Sequence, residues 1–113
     1  MINYSTRYAL AVHPDIQNEI ATAIKEEVKG DVTYENLKKL KIIDAAIKES
    51  LRYYNINPMN ARECDETTTV NGITIEKGST ILWDIDYIQK SEAFYKDPQT
   101  FDPHRFDGQE SNT

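Results

Sequence analysis

The sequence predicts an α+β fold, mainly helical with a small antiparallel sheet, and three observations carry that reading. Through the first half, large apolar residues recur at every fourth position: Ile16, Ile20, Ile24 and Val28, then Ile43, Ile47 and Leu51 with Tyr54. That spacing is the stripe of an amphipathic helix. From Thr67 the period drops to two, punctuated by Asn71-Gly72, the dipeptide of a tight hairpin. Beyond Phe94 the run KDPQTFDPHRFDG has the Pro, Asp and Gly density of an ordered but irregular loop.

The elements follow in order. Between Tyr4 and Val12 the residues Tyr8, Leu10, Ala11 and Val12 crowd together with no cap before them, which reads as a helix arriving from upstream. His13-Pro14-Asp15 breaks and restarts the chain: proline suits the first turn, where its missing N–H costs nothing, and Asp15 complements the dipole. His13 reads as a helix-start residue. The helix that follows carries Glu26, Glu27 and Lys29 on its outer face and stops at Gly30. Thr33 can cap a short turn from Tyr34 to Leu40, and a second main helix runs from about Lys41 to Tyr54, ended by Asn55-Ile56-Asn57-Pro58. Short antiparallel strands are expected at Thr67–Val70, Ile73–Ile75 and, after a Glu76-Lys77-Gly78 turn, Ser79–Trp83. One more helical turn is expected from Asp86 to Ser91.

Bulk properties exclude several function classes. A formal net charge of −6 argues against nucleic acid, whose phosphates need a positive surface. No run of about 18 apolar residues can form a membrane helix, and MINYSTRYALAV lacks the pattern of a signal peptide, so the chain itself reads as soluble. The single cysteine, Cys64, has no thiol partner and no clustered histidines with which to share a metal. It reads as a small, half-buried strand residue. The aromatics Tyr53, Tyr54, Trp83 and Phe94 read as core, or as surface that a neighbouring domain would cover.

The segment KIIDAAIKESLRYY places Glu49 and Arg52 three apart on one helix. By spacing alone that is a surface ion pair worth a few tenths of a kcal/mol, ~0.2–0.5. The wider order of signals changes the reading. HPDIQNEI, then TYENLKKLKIIDAAIKESLR with its Glu-x-x-Arg, then VNGITIEKGSTILW, then FDPHRF follow one another at set spacings. In that order they resemble the cytochrome P-450 family of haem-thiolate monooxygenases, most closely the eukaryotic microsomal branch, over roughly Tyr8 to Phe106. HPDIQNEI is similar to the start of the family's helix J, ESLR to the Glu-x-x-Arg of helix K, the hairpin to the small sheet that follows, and FDPHRF to the meander motif Pro-Glu-Arg-Phe.

The resemblance implies a single partial domain of the cytochrome P-450 fold. Residues 1–12 would be the remnant of a preceding helix, 13–55 the two main helices, 56–84 the small sheet region, 85–106 a short helix and meander, and 107–113 a frayed tail. It implies that Glu49, Arg52 and Arg105 form a structural network tying helix K to the meander. A carboxylate can accept two planar guanidinium forks at once, which makes such a network physically reasonable. It implies that Arg62 reaches a haem (heme) propionate and that Ile56, Asn57, Pro58 and Met59 line a substrate pocket. For a full-length member it further implies the remainder of the chain, an NADPH-dependent reductase and a small, mostly apolar substrate as partners, and the cytosolic face of the endoplasmic reticulum membrane as location.

The sequence also departs from the family's pattern. Asn55 stands where the family favours proline, Glu76 replaces the proline of Pro-Lys-Gly, Gln89-Lys90-Ser91 replaces His-Arg-Asp, and His104 replaces the glutamate of Pro-Glu-Arg-Phe. His104 reads as a side chain that stabilises the meander, with a haem ligand or a pH switch as alternatives. The axial cysteine loop of the family has no counterpart before Thr113, and Cys64 in ARECDET lacks its flanking glycines. The expectation is therefore a fragment of a haem-dependent monooxygenase that is inactive alone and does not bind haem stably, with no catalytic residue and no metal ligand of its own. The alternative is a non-catalytic binding or interaction module, or pseudoenzyme, that keeps the scaffold.

Overall fold

The computed structural model describes residues 2–108, with the side chains described from Tyr4 onward. Five α-helices come from the sequence in order: α1 Ile2–Val12, α2 Pro14–Glu27, α3 Tyr34–Lys39, α4 Lys41–Tyr53 and α5 Ile85–Gln89. Four strands lie between α4 and α5: β1 Met59–Glu63, β2 Thr68–Val70, β3 Ile73–Ile75 and β4 Thr80–Asp84, and a 3-10 helix follows at Pro103–Phe106. The expected fraying of residues 107–113 falls mostly on 109–113, which lie outside the described residues.

Local chemistry explains most boundaries. Helix α1 runs almost directly into α2, with the His13 amide donating to Ala9 O at 3.0 Å and Gln17 N to His13 O at 3.1 Å. Pro14 opens α2 and Asp15 lies in its first turn. Gly30, at φ 113°, turns the chain away just beyond its end. Thr33 caps α3 reciprocally: its hydroxyl accepts from Asn36 N at 3.3 Å while Asn36 Oδ1 accepts from Thr33 N at 2.8 Å. Between β2 and β3, Asn71 and Gly72 both adopt positive φ, 51° and 81°, as a two-residue primed hairpin turn requires.

The sheets are two antiparallel pairs nested in sequence. β2 pairs with β3 through Thr68–Ile75, Thr69–Thr74 and Val70–Ile73. β1 pairs with β4 from Met59–Asp84 to Glu63–Thr80. The periodicity reading contains no strand before Thr67. MNARE has no β-branched residue and no buried face to alternate against, so its strand state comes from pairing with β4 twenty residues on. Cys64 extends this ladder by one step, its amide donating to Ser79 O at 2.9 Å and its carbonyl accepting from Gly78 N at 2.8 Å. It lies just past β1 and is buried rather than half-buried, because its thiol packs under the hairpin at the Glu66 and Ile75 carbonyls.

The apolar core is small: Ile16 and Ile20 of α2 meet Ala46 of α4, with Leu10, Ile42 and Ile43 packed around them. On α4 the stripe of Ile43, Ile47, Leu51 and Tyr54 is only half-buried. The buried face is instead Ala45, Ala46, Glu49, Ser50 and Arg52. Two small alanines let α1 and α2 approach closely, Ser50 satisfies its own hydroxyl on Ala46 O at 2.6 Å, and the charged residues turn towards the 3-10 helix. The large aliphatics are left at the margins.

The molecule measures 58 × 29 × 25 Å with a radius of gyration of 18.7 Å. A compact chain of this length would have about 13 Å. Large apolar side chains such as Ile73, Leu82, Tyr87 and Phe94 are exposed. Replacing Ala46 by leucine is expected to overpack the contact between α2 and α4 and to lower the unfolding free energy by about 1–3 kcal/mol in chemical denaturation. Thr33→Ala is expected to remove about 1 kcal/mol of local stability, read as faster amide exchange confined to α3.

Candidate functional site

Three residues apart on α4, Glu49 and Arg52 share a face, and that face is sealed: Glu49 is 0% exposed and Arg52 2%. Arg52 grips the carboxylate with a fork, Nε donating to Oε2 at 2.7 Å and Nη2 to Oε1 at 2.8 Å. Its remaining donors go to backbone oxygens. Nη1 donates to Gln89 O at 2.7 Å and Pro98 O at 2.9 Å, and Nη2 to Thr100 O at 3.2 Å. All five guanidinium N–H groups are thereby used, which is what permits burial of the charge. The rings of Tyr95 and Tyr53 lie 5.2 and 5.6 Å from the guanidinium carbon.

The 3-10 helix brings the third member. Asp102 caps it, accepting from His104 N at 3.0 Å, and Pro103 occupies its first turn. This turns Arg105 back towards α4, where Nε donates to Glu49 Oε1 at 3.1 Å. Its other nitrogens donate to Lys96 O at 2.7 Å, Asp97 O at 3.3 Å and Thr100 O at 3.0 Å. The Asp102 amide completes the set with a 2.8 Å bond to Glu49 Oε1. One carboxylate therefore faces two guanidinium groups, and the surplus positive charge is spread over the carbonyl dipoles of residues 89–100. Asp97, at φ 47°, takes the left-handed backbone that puts its carbonyl on both Arg105 and the Thr100 amide.

The structure brings Glu49, Arg52 and Arg105 together, with Tyr53 against the Arg52 guanidinium, whereas Arg62 and residues 56–59 take no part in the network's hydrogen bonds. Arg62 sits on β1, exposed, its Nη1 donating to Ala61 O at 2.8 Å and its guanidinium 5.6 Å from the Trp83 ring. Ile56 lines an open cavity of about 670 Å³ with Tyr4, Tyr8, Tyr53, Tyr54 and Asn55. Asn57, Pro58 and Met59 are exposed outside that lining; Pro58 O anchors the start of α5 through Ile85 N at 2.8 Å. His13 is stacked on Phe101 at 4.5 Å between centroids, and Phe101 in turn meets Tyr53 edge-on at 6.0 Å.

Sequence reasoning missed the backbone half of the network. The FDP stretch carries an N-cap followed by proline, a signal that could have located Asp102. The carbonyls of Gln89, Lys96, Asp97, Pro98 and Thr100 have no side-chain signature at all.

Among the described residues no three His, Cys, Asp or Glu side chains converge on a point where a metal ion could bind. The Cys64 thiol donates to Glu66 O at 2.9 Å, lies 3.9 Å from Ile75 O and is buried under the hairpin, so it presents no open face to an iron. Both histidine rings are engaged, His13 on Phe101 and His104 between two acids. The Arg62 guanidinium has no acidic partner among the described residues and is of a type suited to a carboxylate.

Glu49→Gln keeps the shape but leaves the buried Arg52 and the partly buried Arg105 guanidinium groups without a counter-charge, and is expected to destabilise the chain by about 3–5 kcal/mol. Arg105→Lys, which keeps the charge and loses the fork, should cost less, about 1–3 kcal/mol, both measured by urea denaturation.

A family model described as Cytochrome P450 matches residues 6–113. Similar curated proteins include Cytochrome P450 6l1 of Blattella germanica, 36% identical over 104 residues that cover 88% of this chain and 21% of the relative. Cytochrome P450 6a9 of Drosophila melanogaster is 35% identical over 105 residues, 88% of this chain and 21% of the relative. Cytochrome P450 3A16 of Mus musculus is 34% identical over 103 residues, 89% and 20% respectively. The chain thus spans about a fifth of the length of the curated relatives it matches. With a family match over nearly all of its residues, and relatives at this level of identity along the same stretch, the chain belongs to the cytochrome P450 family.

Proposed function

We propose that these residues are the helix K and meander scaffold of a haem-dependent monooxygenase, which oxidises a small, mostly apolar organic molecule with electrons from an NADPH-dependent reductase. The single observation that carries this reading is the sealed Glu49–Arg52–Arg105 network, which fixes the loop of residues 89–102 against α4. The network's role is scaffolding. Its groups are fully engaged with one another and with backbone, and none is left to touch a substrate.

Haem, when bound, would supply the iron that activates oxygen, and Arg62 is the residue of this segment that would hold it. Arg62 is the propionate contact: β1 presents it at the surface, and its one hydrogen bond to a neighbouring carbonyl is cheap to exchange for a carboxylate. Ile56, Asn57, Pro58 and Met59 form part of the substrate wall, with Ile56 and Met59 giving apolar contact and Asn57 a polar one. Asn57 is pre-set by bonds to Asn55 Oδ1 at 3.1 Å and Asn60 Oδ1 at 3.0 Å. A location at the cytosolic face of the endoplasmic reticulum membrane belongs to the same proposal for the whole protein. No helix of the described residues is long and apolar enough to cross a membrane.

By this reading the present residues supply scaffold and a propionate contact but no iron ligand, a conclusion that rests on the closed environment of Cys64. Titrating haem into the 113-residue chain and recording absorption after reduction under carbon monoxide tests it. Weak binding without a thiolate-type Soret band is expected. A stoichiometric complex with such a band would overturn the assignment. A second reading, a non-catalytic interaction module that keeps the scaffold, is favoured by the exposed apolar residues of the β ribbon, Ile81, Leu82 and Trp83.

A further inference from the structure

We propose that His104 is a protonation-dependent latch between α2 and the 3-10 helix that carries Arg105, closed as an imidazolium held by two carboxylates and opened on one side when the ring is neutral. Its Nδ1 lies 2.9 Å from Asp107 Oδ2 and its Nε2 3.1 Å from Glu19 Oε2. The two acids belong to different parts of the fold. Asp107 closes the 3-10 helix itself, whereas Glu19 sits on α2 between the buried Ile16 and Ile20, so its position is set by the core.

The chemistry of the ring makes the link conditional. Ionised carboxylates only accept, and an imidazolium has two N–H donors, one for each acid. A neutral imidazole has one donor and one lone pair, so one of the two contacts becomes lone pair against carboxylate. The contact within the turn spans three residues and the contact to α2 spans 85. The shorter tether is the less costly to keep closed, so deprotonation retains Nδ1–H on Asp107 and releases Glu19.

The other charged groups nearby are committed elsewhere. The Asp102 carboxylate bonds the His104 amide and the Arg105 guanidinium is turned onto Glu49 and the loop carbonyls. The glutamate that the family motif carries at this position would face Glu19 and Asp107 with like charge. Here the histidine makes the same cluster attractive, towards both acids at once only while protonated.

The hydrogen bond to Asp107 is the main cause raising the His104 pKa above the ordinary 6.5, against a lowering by burial, with Glu19 adding to the rise. A folded pKa above the unfolded one means the latch contributes fully below about pH 6.5 and is lost as pH rises through the folded value. All three side chains are close to half-exposed or more, so the effect is on the attachment of the turn rather than on global stability, and salt weakens it.

The test is an NMR titration of the isotope-labelled 113-residue chain between about pH 5 and about pH 8, with His104→Gln identifying the His104 resonance. The expected result has three parts. The His104 midpoint lies above 6.5; it falls in Glu19→Gln and falls further in Asp107→Asn; and amides around Glu19 on α2 shift with the same midpoint while the neutral ring shows the Nδ1–H tautomer. Both substitutions are at exposed positions and leave the core untouched. A midpoint at or below 6.5 that neither substitution moves, or α2 amides that do not follow the ring, would overturn the proposal.

Discussion

The path of the chain from Gln89 to Arg105 depends on one buried carboxylate. Glu49 has no access to water, and an isolated ion in that position would be untenable. It is tolerated because Oε1 accepts from two guanidinium groups and the Asp102 amide while Oε2 accepts from Arg52. The two arginines then exceed the one carboxylate by a charge, and only the carbonyls of the loop between α5 and the 3-10 helix can offset it. Loop conformation and charge balance are therefore a single condition. A different path for residues 89–102 would leave guanidinium donors without acceptors.

This constraint substitutes for hydrophobic organisation. Eight buried apolar residues among those described, of which Ile16, Ile20 and Ala46 form one cluster, are a modest core for a chain of 113 residues. The elongation and the exposed aromatics of α1, α5 and β4 fit a segment whose apolar surface exceeds what it can bury against itself. Buried ion pairs specify geometry more dependably than they add stability, since desolvation offsets much of their attraction. In this chain the relative placement of helix, loop and turn is fixed by directional bonds.

The same turn shows how a local replacement can be absorbed. His104 departs from the glutamate of the family motif, while the neighbouring Arg105 bonds Glu49 and the Lys96 and Thr100 carbonyls. The histidine instead finds two acids, one local and one on α2. Aromatic stacking of His13 on Phe101, and of Phe101 against Tyr53, provides a second, uncharged tie between the same elements.

What the sequence by itself determined was everything governed by near neighbours. The α2 stop at Gly30, the Thr33 cap and the Asn71-Gly72 hairpin each follow from interactions within a few residues, so the residue types alone announce them. The order of motifs was equally legible, and with it the family. The tertiary structure decided the rest, because those features depend on groups far apart in sequence or on groups that every residue possesses. β1 is a strand only because β4 lies beside it. The isoleucine stripe of α4 yields the deep face to Ala45, Ala46 and a charged pair, because only small or fully hydrogen-bonded side chains allow the close approach of α1 and the 3-10 helix. That Glu49 and Arg52 are more than a surface ion pair was settled by five backbone carbonyls and one backbone amide, groups that carry no side-chain signature and whose direction only the folded chain provides.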